Sequence, residues 1–160
     1  MEWFTKQTEG LCKLLNVIAG CALTFMMLLT VTDVILRFFR MPVVGAYELV
    51  AFAGGVVVGF AIPMTSFKKG HIFVDFFILR FQPKTRMLFH LTTRLMGLVL
   101  FLIIGWNMIR MGMDMLHSGE VSLTLELPFY PVVYGIGLAC FVQCLVILTQ
   151  IAQVFGGTYE

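Results

Sequence analysis

The stretch Val43–Phe67, VVGAYELVAFAGGVVVGFAIPMTSF, decides the fold. It carries a single charged residue, Glu48, and runs longer than the ~20 apolar residues that a helix needs to cross a bilayer. A soluble core helix or buried strand is shorter than this and has polar flanks. Three further blocks of the same kind occupy 14–36, 87–113 and 127–155. The whole chain is 59% hydrophobic and only 12% charged over 160 residues, too little charge to build a water-facing surface. The expected fold is therefore an all-α membrane protein with four transmembrane helices in one domain, 1–160. Blocks this long exclude the short alternating strands of a barrel. In lipid, a helix meets every backbone hydrogen bond internally.

The first block follows Lys6 and Lys13, as a signal peptide would, but exceeds the usual apolar core of such a leader. Ile18-Ala19-Gly20-Cys21 loosely resembles a lipoprotein cleavage site, yet the apolar run continues beyond it, so a retained helix is expected. Cys140 and Cys144 share a helix face without further metal-ligating residues nearby. With Cys12 and Cys21 they read as small packing residues, with no disulfide, metal or cofactor.

Lys and Arg in short loops set orientation. The segment between blocks two and three holds Lys68, Lys69, Arg80, Lys84 and Arg86; the one between three and four holds Asp114, Glu120 and Glu126. The first is expected in the cytoplasm, and so are both termini. Arg37 and Arg40 in the outer first loop pull weakly the other way. Within the cytoplasmic segment, His71, Asp75 and Gln82 form a polar stripe opposite Ile72, Phe73, Phe76, Phe77 and Phe81. This predicts a short amphipathic helix over 71–82, too short to span, which lies on membrane lipid or docks on another protein's helices.

Charges inside spans are costly and need a reason. Asp33 and Arg37 are spaced to pair at the outer end of helix one, and Glu48 lies at the same level in helix two. The three are expected to form a charge cluster that pins this hairpin or contacts a partner subunit. On helix three, Arg86, His90 and Arg94 share a face near the cytoplasmic end, where Arg94 snorkels or meets a subunit. Arg110 and Asp114 are spaced to pair at its other end. Gly55 and Gly59 make a GxxxG notch for a close neighbour, either within the chain or outside it. Pro63 is expected to bend the end of that helix. No nucleotide-binding, metalloprotease or nucleophile-elbow motif occurs. His71, His90 and His117 do not suit a haem pair, so no enzyme activity and no nucleic-acid partner is expected. An autonomous small exporter or channel is the alternative, but Glu48 lies near the edge, not the centre, of the membrane.

Three runs carry a resemblance. Gly45-Ala46-Tyr47-Glu48-Leu49, preceded by Arg37, is the first. Phe67-Lys68-Lys69-Gly70-His71-Ile72-Phe73-Val74-Asp75 is the second and most specific. Leu123-Thr124-Leu125-Glu126-Leu127-Pro128, leading into Tyr134-Gly135-Ile136-Gly137, is the third. In order and spacing the chain resembles the small membrane subunit of tripartite ATP-independent periplasmic (TRAP) transporters. The resemblance implies a bacterial inner-membrane complex for sodium-coupled symport and organic acid uptake. A periplasmic substrate-binding protein delivers an organic acid anion to a large permease subunit, and the small subunit enlarges that subunit's fixed scaffold. It implies that substrate and sodium are held by the large subunit and that this chain has no catalytic residue.

Overall fold

The computed structural model describes residues 2–68 and 83–155. These residues form four helices, α1 (Glu2–Phe38), α2 (Ala46–Phe67), α3 (Pro83–Ser118) and α4 (Tyr130–Phe155). All four are long and apolar enough to cross a membrane. The predicted amphipathic helix, with Lys69, His71 and Asp75, lies outside the described residues.

The helix ends depart from the apolar blocks for local reasons. Helix α1 starts well before residue 14; there Lys13 pairs with Glu9 at 2.6 Å, one turn away, so polar residues extend the helix beyond the lipid-facing stretch. Helix α3 begins at Pro83, where a proline lacks only an N–H that no helix start uses. Val43 and Leu127 are apolar but lie in connections. The Val43 N–H is held by Asp33, and the Leu127 carbonyl accepts the Ser122 N–H at 2.9 Å, closing a tight loop before α4.

Helix α1 packs chiefly on α2, α3 packs on α4, and α2 and α4 pack on each other; α1 also touches α4. The helices thus form an array in the order α1–α2–α4–α3. Half of α4's most apolar stretch is buried, against 11% for α1 and for α3, which identifies α4 as central and the other two as flanks. Cys12, Leu15, Met64, Ala139, Val142 and Val146 form the core, with Phe60 and Phe67 against them. In lipid this core is held by close packing, because hydrocarbon outside offers no hydrophobic drive.

The glycine notch is filled from within the chain. A Cβ at Gly55 would lie 3.5 Å from Val132, and one at Gly59 would lie 3.0 Å from Ile136, so α4 uses the space that the two glycines leave on α2. Pro63 is fully buried inside α2. The cysteines are free, and Cys12, Cys140 and Cys144 are buried in the packing.

Polar side chains on the outward faces satisfy themselves. The hydroxyls of Thr24, Thr30 and Thr65 donate to the carbonyls four residues earlier, and the Asn107 amide donates to Ile103. A polar group facing hydrocarbon has no water to bond, and these bonds remove the penalty.

Candidate functional site

Two polar constellations stand out, one at each end of the array. At the end that carries the α1–α2 turn and the α3–α4 loop, the Asp33 carboxylate uses both oxygens. Oδ2 accepts Arg37 Nε at 2.8 Å and lies 2.6 Å from Nη2, and Oδ1 accepts the Val43 N–H at 2.9 Å. The i,i+4 spacing brings the first pair together; the second ties helix α1 to the turn after it. Arg37, half-exposed, also lies over the Tyr47 ring, 5.2 Å from its centre. A guanidinium over an aromatic face is attracted by the ring quadrupole.

Glu48 turns away from this pair. Its carboxylate accepts the Ser122 hydroxyl, the Thr124 N–H at 2.8 Å and the Leu125 N–H at 3.0 Å. It therefore pins the α3–α4 loop to the first turn of α2. The expected cluster of three is thus an Asp33–Arg37 pair beside a separate Glu48 latch. Among the described residues, the ion pairs are Arg37–Asp33 and Lys13–Glu9. Arg110 and Asp114 are both exposed and do not pair, despite their spacing.

Gly45 makes the latch sterically possible. It sits at φ +74° as the residue before α2, a conformation that costs an L side chain, and a Cβ there would overlap the Leu125 side chain. Phe52 and Phe129 stack beneath, with centroids 5.1 Å apart, and join α2 to the residue preceding α4. The loop itself closes on a bridge between Val121 and Pro128.

At the opposite end, the Gln143 amide donates to Ser66 Oγ at 2.8 Å, and the Gln150 amide donates to the Ser66 carbonyl at 2.6 Å. Arg94 Nη1 donates to the Gln150 carbonyl at 2.7 Å. Arg94 thus bonds within the chain, and the network joins α2, α3 and α4. Lys68 caps α2, its N–H bonded to the Met64 carbonyl at 3.1 Å. His90 lies in α3, but its side chain lies outside the described residues.

Sequence reading missed Ser122, Thr124, Ser66, Gln143 and Gln150. The last three carried a signal, since uncharged polar residues in an apolar span need partners on a neighbouring helix. The Glu48 donors carried almost none, because two of its three donors are backbone N–H groups. Among the described residues, no cluster of three His, Cys, Asp or Glu could hold a metal. Both constellations do structural chemistry: carboxylates and amides are spent on joining elements.

A family model described as "Tripartite ATP-independent periplasmic transporters, DctQ component" matches residues 26–157. No curated protein and no solved structure matches the chain.

Proposed function

The chain belongs to the DctQ family, a component of TRAP transporters, and from that premise we propose that it is the scaffold-enlarging small permease subunit of a sodium-driven carrier of organic acid anions. It sits in the bacterial inner membrane with both termini in the cytoplasm. A large permease subunit holds substrate and sodium and moves them, and a periplasmic binding protein delivers the anion. This chain fixes the large subunit in the bilayer.

The observation that carries this reading is how the carboxylates of the first two spans are used. Asp33 and Glu48 direct their oxygens to Arg37 and to the N–H groups of the two connections at one end of the array. Carboxylates committed to holding the fold are poor cation carriers, since a moving ion would have to displace those bonds. The open array and its two apolar flanks suit a packing role.

The orientation is supported by the acid-rich segment on one side, with Asp114, Glu120 and Glu126, and the cation-rich segment on the other. The experiment is affinity purification of the tagged chain from native membranes. The large permease subunit should accompany it in fixed stoichiometry. Recovery of the chain alone, with the large subunit intact in the same membranes, would refute the reading.

A further inference from the structure

The latch has a consequence for the surface beside it. Ser122, Thr124 and Leu125 are all drawn to the Glu48 carboxylate, and Leu123, between them, is fully exposed. Below it lies a groove of about 410 Å³, whose lining includes Tyr47, Ala51, Phe52, Phe129 and Val133. A held loop therefore presents one leucine as a knob above an apolar hollow.

Depth limits what can fill the hollow. Ala51 is five residues into α2, roughly 7 Å below its start at the helical rise, and Val133 is three residues into α4. The floor lies within the membrane-crossing part of both helices, where a soluble protein does not reach. The face continues downward through Gly54, where an added Cβ would meet nothing within 4 Å, to the exposed Val58. Small residues on an open helix face let another backbone come close.

Charge separates a helix from a phospholipid. Glu120 and Glu126, on the loop that forms the rim, are exposed and belong to neither of the ion pairs among the described residues. Arg37, over the groove's Tyr47, is paired with Asp33. Against the exposed Arg40 of the neighbouring turn stand Glu48, Glu120 and Glu126, so this end keeps an excess of negative charge that repels lipid phosphate and attracts a cationic side chain.

We propose that this groove and the Leu123 knob seat a transmembrane helix of the large permease subunit, apolar at the level of Ala51 and Val133 and carrying Lys or Arg at its outer end. The proposal rests on the reading that the chain assembles with such a subunit, and it names the surface. Association there draws on close packing around Ala51 and Gly54 and on the buried knob.

The test is photocrosslinking in cells that make all three transporter components. Benzoylphenylalanine is placed at position 51, at position 123 and, for comparison, at position 100 on the exposed face of α3. Positions 51 and 123 should give adducts with the large subunit at several-fold the yield from position 100. Equal yields, adducts with the binding protein, or no protein adduct from 51 and 123 would overturn the proposal. Ala51→Phe, which fills the groove, should insert normally but recover several-fold less large subunit on purification; unchanged recovery would also overturn it. If the wild-type chain recovers no large subunit at all, the assembly reading itself fails, which is a different result from a complex that forms without adducts at 51 and 123.

Discussion

Glu48 and Leu125 are 77 positions apart, yet the carboxylate of one accepts the backbone N–H of the other at 3.0 Å. This bond, with those to Ser122 and Thr124, fixes where the α3–α4 loop rests on α2. Removing a hydrogen-bonded partner from a charged group leaves donors unmatched, which costs more than a neutral bond is worth. Glu48→Ala should lower thermal stability in detergent more than Glu48→Gln, which keeps one carbonyl acceptor. Ser122→Ala, which removes one hydroxyl, should cost about 1 kcal/mol. Equal stability of all three variants and the wild type would show that the latch contributes nothing.

Gly45→Ala tests the steric half of the same device. A non-glycine residue in the left-handed region costs ~1–2 kcal/mol before any contact is counted. Here the added methyl would also displace Leu125. The melting temperature should fall, and limited proteolysis should cut the α3–α4 loop faster. Gly20→Ala is the matched comparison. Nothing lies within 4 Å of its added Cβ, and it should be neutral or stabilise helix α1 by up to ~1 kcal/mol.

Helix packing is tested at Gly59, whose Cβ would approach Ile136 to 3.0 Å. Gly59→Val overfills this contact and should destabilise by ~1–3 kcal/mol. Ile136→Ala in the same chain should restore part of the loss, so a double-mutant cycle by detergent unfolding should give a favourable coupling. Additive effects would mean that the two residues do not meet.

The polar network at the other end should matter less than its burial suggests. Gln143 is 3% exposed and donates to Ser66. Interhelical hydrogen bonds in membranes average only ~0.6 kcal/mol, because the unfolded chain also finds partners. Gln143→Leu should therefore change stability by about 1 kcal/mol or less, measured by the same unfolding. A collapse of folding would show that the network defines the array.

Much of the architecture was legible from composition and block length, since only a helix of that apolarity satisfies its backbone in lipid. Where the helices stop was less legible. Val43 and Leu127 have the side chains of a span but the backbone bonds of a connection, and a hydropathy pattern sees only side chains. Four residues is a helical repeat, which made Asp33 and Arg37 legible as a pair, but the same spacing misled at Arg110 and Asp114, which are both exposed and do not meet. Glu48 was legible as a charge needing a partner, but its partner was not, because an N–H from a distant loop has no signature in the chain. The Gly55/Gly59 spacing announced a close neighbour without saying which, and Val132 and Ile136 of α4 turned out to fill it. Arg94 had a partner equally hidden, a helix carbonyl at Gln150.

The central claim is that this chain supports transport and moves nothing by itself. The direct measurement is substrate uptake into liposomes under an inward sodium gradient, with this chain, the large subunit and the binding protein added singly, in pairs and together. The account predicts sodium-dependent uptake of an organic acid anion only when all three are present, and none with this chain alone. Uptake or export by this chain alone, or full uptake by the other two without it, would contradict it.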